Sequence, residues 1–184
     1  MRDHERYFEF ERELLMAQLS FEKTWENLAR IQPAPKKALV CDRGAMDPKA
    51  YMDGRDFDRM IRELDYDTRE LRDERYLAVF HLVTAAAGAE EFYNLNNPAR
   101  HETPEQARAT DGRTLAAWNG HPHLRVIPNF RVINGQKQKI DFDAKMQILV
   151  IEVCRALGLP APLQVGRKFL VKLETGKALL PIPC

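Results

Sequence analysis

The chain has 184 residues, enough for one well-packed domain, since single domains commonly contain about 100 to 200 residues. Its 28 Lys and Arg residues nearly balance 27 Asp and Glu residues, so the net charge of +1 gives no overall attraction for nucleic acid or for an anionic membrane. No apolar run approaches the roughly 18 residues that a spanning helix needs. The chain is therefore predicted to be cytoplasmic. Its cysteines lack any Cys-x-x-Cys spacing and fit reduced thiols without an assigned role: Cys41, Cys154 and Cys184.

The first segment has the periodicity of a long amphipathic helix. Six apolar residues recur at steps of three and four, which places them on one helical face: Phe10, Leu14, Ala17, Phe21, Trp25 and Leu28. The helix is expected to end near Pro33, because proline lacks an amide proton and disfavours helix in the residue before it. The apolar face is predicted to pack on a sheet.

Three short apolar runs alternate with helical stretches along the rest of the chain. The strands are predicted over 38–41, 77–83 and 124–128, and the helices around 57–64, over 85–93, from a cap at Thr103 to Trp118, and from a cap at Asp141 to Leu157. This alternation predicts an α/β fold with a parallel sheet and flanking helices. Three strands are few for such a sheet, so an earlier strand is expected upstream of Met1. The segment 165–172 has strand character without partners, as at the start of a second domain.

A charged pair follows the first predicted strand. Ligands of parallel sheets bind outside the carboxyl ends of the strands, where Asp42 and Arg43 are placed. Asp42 can hold Mg²⁺ through water or orient a nucleophile, and Arg43 can bind phosphate oxygens. The alternative is that Asp42 caps the next helix and Arg43 pairs with a surface acid. Asp47, which precedes Pro48, is interpreted as an ordinary helix start rather than a second acid of the site.

Further candidates lie around a polar loop, at Arg100, Arg108 and Arg113. These arginines could close over phosphates, or they could lie on a solvated helix face and pair with Glu102, Glu105 and Asp111. The His121-Pro122-His123 run lacks further ligands at recurrent spacing, so a structural pair is favoured over a metal site. His81, inside a predicted strand, is interpreted as a hydrogen-bonded core histidine. Neither GxxxxGK[ST] nor GxGxxG occurs, which weighs against autonomous catalysis.

Several motifs together resemble a known family. The stretch from Asp42 to Tyr51 is similar to the DRY-x-x-S-x-x-A-Y motif of thymidylate-kinase-like enzymes, with Gly44 for the Tyr and Asp47 for the Ser. With the segments 83–93, 97–102 and 117–123, it makes the chain resemble the TRPL translocation-defect protein family from Phe10 to Leu159.

That resemblance implies a domain organisation and a function. Residues 1–159 would form a three-layer P-loop NTPase domain, nucleotide-kinase-like and N-terminally truncated, whose first strand and phosphate loop lie upstream; residues 160–184 would be a linker and the start of a CYTH-like domain. The family implies GTP and phosphoinositide binding, Mg²⁺ with GTP or ATP, a role in membrane-protein trafficking and a peripheral membrane location. Asp42 and Arg43 fall on its post-strand acid and arginine, and Arg100 and Arg108 in its lid-like region.

Three functional hypotheses follow. The first is a regulatory nucleotide-binding module with Asp42 near Mg²⁺ and with Arg43, Arg100 and Arg108 near phosphates. The second is a small-molecule kinase for a nucleoside or riboside, in which Asp42 orients or deprotonates the acceptor. The third is a non-binding interaction module or an incomplete gene product, since the phosphate loop is missing.

Overall fold

The structure, a computed structural model, describes residues 2–90 and 102–162. Arg100 and the predicted second-domain strand lie outside these residues. The elements in chain order are α1 (Arg2–Ile31), a short 3₁₀ turn (Asp47–Ala50), α2 (Gly54–Glu63), a π-helical turn (Glu70–Glu74), β1 (Val79–Leu82), α3 (Pro104–Trp118), β2 (Leu124–Ile127), β3 (Phe130–Ile133), β4 (Gln136–Lys139) and α4 (Phe142–Ala156). The predicted α/β class is confirmed.

Two of the three predicted strands form a parallel pair. β1 and β2 run side by side with Val79 opposite Leu124 and Leu82 opposite Ile127. α3 lies between them in the chain, as the crossover of a parallel pair requires. The carboxyl ends of both strands therefore meet at one edge of the sheet, next to the loops that follow them.

The prediction of a buried strand over 38–41 is wrong. This segment forms no regular structure, and Leu39 and Val40 are 47% and 83% exposed. Among the residues that the structure describes, β1 pairs only with β2, and the backbone of 38–41 makes no hydrogen bond. A strand exists only where a neighbouring backbone completes its hydrogen bonds, and no described strand lies beside 38–41.

Helix α1 is confirmed, but its predicted buried face is wrong. The helix ends at Ile31, shortly before Pro33, as expected. The side chains that it buries are Phe8, Leu15 and Leu19, which pack with α2 rather than with the sheet. The predicted stripe is exposed instead: Phe10 58%, Leu14 49%, Phe21 68%, Trp25 56% and Leu28 41%, together with Ala17. α1 therefore has two apolar faces, and only one has a described surface to pack against.

The hydrophobic core lies next to the turn at 42–44 and includes Ala45 and Met46, which follow that turn. It joins α1 to α2, the π-helical turn and the end of α3 through fully or nearly fully buried side chains: Phe8, Leu15, Met46, Phe57, Met60, Leu71 and Trp118. Each buried large side chain contributes about 1.5–3 kcal/mol relative to an exposed one. We call the part of the molecule that contains this cluster the packed side.

The predicted ends of α3 and α4 are confirmed by their caps. Thr103 and Gln106 form a reciprocal capping box at the start of α3, and Asp141 accepts a hydrogen bond from the backbone of Ala144 at the start of α4. Gly158, with φ 63°, follows the end of α4. The cap residues fix these helices locally, so the sequence alone locates them.

Two further differences concern the segments after β1 and β2. No α-helix forms over 85–90, where the chain makes turns; the remainder of the predicted helix lies outside the described residues. The antiparallel hairpin of β3 and β4 was not predicted. Its two-residue loop, Asn134-Gly135, has positive φ at both positions (51° and 77°), as type I′ turns require.

Candidate functional site

A cavity of about 1300 Å³ lies between the extended segment 37–43 and β1. α1 contributes Glu22 and Glu26 to its wall, α3 contributes Asp111 and its neighbours, and the last turns of α4 cover another side. Asp42, Arg43 and the whole length of β1 line this cavity. Only the part of the cavity next to Leu82 and Thr84 lies at the carboxyl end of the strand, where ligands of parallel sheets bind.

The turn at Asp42 and Arg43 has an unusual backbone. Arg43 has φ 74°, in the left-handed region that side-chain-bearing residues rarely adopt. Its side chain is 60% exposed, and its guanidinium lies 3.9 Å from a carboxylate oxygen of Asp47. Asp42 is exposed and makes no hydrogen bond or ion pair with any residue that the structure describes. Backbone conformations of this kind cluster at functional sites, so the φ of Arg43 is an observation in favour of a binding role for this turn.

The Asp47 side chain stabilises this turn through two hydrogen bonds. Its Oδ2 accepts a hydrogen bond from the Gly44 amide at 3.1 Å, and its Oδ1 accepts one from the Trp118 indole at 2.7 Å. Asp47 is only 8% exposed and begins the 3₁₀ turn, as the sequence predicted. Asp47 also lines the cavity, but both of its carboxylate oxygens already accept hydrogen bonds, so its role in the turn is structural.

Tyr76 supports the same turn from the other side. Its hydroxyl accepts a hydrogen bond from the Ala45 amide at 2.9 Å and donates to Glu22 of α1, which also pairs with Arg75 at 2.6 Å. Burial, reinforced by the Glu22 carboxylate, raises the pKa of Tyr76 above its ordinary value. The hydroxyl therefore keeps its proton and remains a donor. This contact ties the turn to α1.

A glycine is required at position 44. A Cβ there would lie 2.5 Å from Cζ2 of Trp118, well inside the contact distance. Trp118 therefore occupies the space that a side chain at position 44 would need.

A buried lysine links the loops that follow β1 and β2. Lys145 of α4 donates to the Val83 carbonyl at 2.6 Å and to the Asn129 side chain at 2.7 Å. Asn129 in turn donates to the carbonyls of Thr84 and Ala87. Burial lowers the pKa of Lys145 below its ordinary value, because the charged form loses hydration. Neither residue is predicted from the sequence as part of a site, although Lys145 interrupts the apolar face of α4 and Asn129 follows the strand predicted over 124–128.

His81 and Asp111 face each other at the end of β1. His81 is 8% exposed, so its predicted burial is confirmed, but its Nε2 atom makes no hydrogen bond to any described residue, so that part of the prediction is wrong. The Nε2 atom lies 3.3 Å from Oδ1 of Asp111, which also accepts a hydrogen bond from the Thr84 amide. The ring is held by packing, and the carboxylate is held by the loop.

Arg108 and Arg113, the two predicted arginines that the structure describes, make their contacts away from the turn at 42–44. Arg108 donates to the Ala86 carbonyl at 2.7 Å and pairs with Glu105, and it does not line the cavity. Arg113 donates to the Ala50 carbonyl at 2.7 Å. The structure therefore brings Asp42 and Arg43 together at the cavity, and it places Arg108 and Arg113 in contacts that hold the loops around α3.

The histidine pair after α3 has a structural role. Nδ1 of His121 accepts a hydrogen bond from the His123 amide, so its Nε2 carries the proton and donates to the Tyr76 carbonyl at 3.0 Å.

Within residues 2–90 and 102–162, no group of three or more His, Cys, Asp or Glu side chains is arranged to hold a metal ion. Mg²⁺ in phosphate sites is held by one or two carboxylates plus phosphate oxygens and water, so the single free Asp42 suits that mode. No described helix is long and apolar enough to cross a membrane.

Comparison with known proteins adds one match. The model of a family described as AAA domain matches residues 1–131, from α1 to β3. The match includes the turn at 42–44 and the parallel pair of strands. No curated protein and no solved structure matches the chain.

Proposed function

The chain belongs to the AAA domain family of P-loop-type domains, and from that premise we propose that it is a regulatory nucleotide-binding module with the phosphates at the mouth of its cavity. The observation that carries this proposal is the turn in which Asp42, a carboxylate without a partner among the described residues, lies next to the exposed guanidinium of Arg43. A nucleotide with Mg²⁺ requires both an anionic ligand for the cation and a cationic ligand for the phosphates.

Each residue has a separate role in this proposal. Asp42 holds Mg²⁺ directly or through water, and Arg43 binds phosphate oxygens. When bound, Mg²⁺ neutralises part of the phosphate charge. Arg100 and Arg108 are proposed to bind phosphates from the region around α3, and Arg108 would exchange the Ala86 carbonyl and Glu105 for phosphate oxygens.

The phosphate cradle itself is proposed to come from polypeptide upstream of residue 1. Residues 1–159 would then be a P-loop domain without its own first strand and phosphate loop, and residues 160–184 would begin a CYTH-like domain. Three features support the first part: the exposed apolar face of α1, the unpaired segment 38–41, and the edge of β1 that faces the cavity without a partner among the described residues. A further strand in the cavity would lie beside β1, since 38–41 and β1 both line it.

The preferred nucleotide in this proposal is GTP. That choice, and the accompanying proposals of phosphoinositide binding and of a role in membrane-protein trafficking, rest on the family resemblance of the sequence. ATP is the alternative nucleotide.

The test is protection against thermal unfolding by Mg-GTP and Mg-ATP, measured on residues 1–184 and on a longer polypeptide that includes the natural upstream segment. We expect protection of the longer polypeptide, and Asp42→Ala should abolish it. Asp58→Ala is the matched control, since Asp58 lies on α2 and does not line the cavity. If the longer polypeptide binds neither nucleotide, the proposal is wrong.

A small-molecule kinase is the second candidate. The carboxylate of Asp42, which has no partner among the described residues, favours it, since an acceptor hydroxyl needs such a group to orient or deprotonate it. Formation of a phosphorylated product from a panel of nucleosides and ribosides would distinguish it from a regulatory module. In a kinase, Asp42→Asn should stop turnover while nucleotide binding persists. A chain that neither binds nor reacts would leave the non-binding interaction module.

A further inference from the structure

We propose that Asp47 and Trp118 are positioning residues that fix the direction in which Arg43 enters the cavity. The inference rests on the proposed function, in which Arg43 contacts phosphate. Neither residue needs to touch the ligand, since both act through the turn at 42–44.

The backbone of Arg43 needs an external constraint. A left-handed conformation is unfavourable for a residue with a Cβ, so a free turn would relax to another conformation and redirect the side chain. The hydrogen bond from the Gly44 amide to Asp47 fixes the peptide that follows Arg43, and therefore restricts the rotation of that residue.

Trp118 fixes Asp47 in turn. Its indole donates to Oδ1 of Asp47 at 2.7 Å, and the two residues are 71 positions apart in the sequence. Both are buried, with 8% exposure for Asp47 and 4% for Trp118. The ring also fills the space over Gly44, so the turn is held by a hydrogen bond and by contact at once.

The same geometry keeps Arg43 available for a ligand. The Arg43 guanidinium lies 3.9 Å from Oδ2 of Asp47, which already accepts the Gly44 amide. Without the indole donor, the carboxylate is free to rotate toward the guanidinium. Loss of the Trp118 hydrogen bond should therefore both loosen the turn and let Asp47 compete with phosphate for Arg43.

The test is calorimetric titration of the longer polypeptide with magnesium tripolyphosphate, which presents phosphate without a base. Trp118→Phe keeps an aromatic ring but removes the donor, and we expect it to weaken binding about tenfold, the factor that corresponds to the loss of one hydrogen bond. Tyr66→Phe is the control, since Tyr66 packs against the same core as Trp118 and does not line the cavity, and it should bind as the wild type does.

A double variant separates positioning from general damage. If Trp118 acts through Arg43, Trp118→Phe should weaken binding no further once Arg43→Ala is present. A second full loss in the double variant, or wild-type affinity in Trp118→Phe, overturns the inference. Should Trp118→Phe fail to fold, Asp47→Asn replaces it, because its side chain can still accept the indole proton while one acceptor for the Gly44 amide is lost.

Failure of the proposed function is distinguishable from failure of this inference. A wild-type protein that binds no tripolyphosphate overturns both. A wild-type protein that binds and loses affinity in Arg43→Ala, but not in Trp118→Phe or Asp47→Asn, retains the proposed function and overturns only the positioning role.

Discussion

The two faces of α1 have different surroundings. On the packed side, Phe8 and Leu15 are 1% and 0% exposed among the side chains of α2 and the π-helical turn. On the opposite face, Phe21 and Trp25 are 68% and 56% exposed. Both faces have the apolar spacing that normally indicates burial. The periodicity of apolar residues therefore identifies the helix faces that can be buried. Which face is buried depends on whether another part of the structure packs against it.

The candidate site lies where these two environments meet. Asp47, Trp118 and Tyr76 hold the turn at 42–44 through buried or half-buried contacts, and they line the same cavity as the exposed side chain of Arg43. A binding residue is most effective when its backbone is already fixed and its side chain is accessible. The ligand then loses less binding free energy to the ordering of that residue.

The largest expected effect tests the contrast between the faces directly. Phe57→Ala removes a fully buried ring of α2 and should lower the free energy of unfolding by about 3–5 kcal/mol. Phe21→Ala, the same substitution on the exposed face of α1, should change it by no more than about 0.5 kcal/mol. Urea unfolding followed by circular dichroism measures both. Equal losses would mean that the exposed face is buried in solution.

A smaller effect is expected where α4 meets the loops after the strands. Lys145→Met leaves the Val83 carbonyl and the Asn129 oxygen without their donor, and should cost about 1–3 kcal/mol. The variant Lys36→Met, at an exposed position after α1, is the control.

The pH dependence of this effect has a definite sign. Burial lowers the pKa of Lys145 below 10.5, so between the folded and unfolded pKa values the unfolded chain binds more protons. Stability should therefore rise with pH across that window in the wild type relative to Lys145→Met. Thermal unfolding at a series of alkaline pH values would show it, and a relative fall with pH would contradict the burial of this ammonium group.

The smallest effect concerns the environment of Trp25 rather than stability. In residues 1–184, iodide should quench the fluorescence of Trp25 and spare Trp118, which is 4% exposed. In the longer polypeptide, Trp25 should become protected if the upstream segment covers this face of α1. Trp118→Phe and Trp25→Phe isolate the two emissions. Unchanged quenching of Trp25 would show that the added segment packs elsewhere.

Part of the candidate site could be predicted from the sequence. Asp42 and Arg43 follow an apolar run and match a motif, and the structure places both at the cavity. The link from Asp47 to Trp118 and the link from Lys145 to Asn129 could not be predicted, because each joins residues that are distant in the chain. Local spacing carries no information about such contacts.

The sequence by itself determined the elements whose limits are set by local hydrogen bonds and backbone sterics. Proline closes α1, and the side chains of Thr103 and Asp141 cap α3 and α4 within a few residues of themselves. Only the tertiary structure decided which face of α1 is buried and that 38–41 is not a strand. Those outcomes depend on a second surface or a second backbone, and a single segment does not contain its own partner.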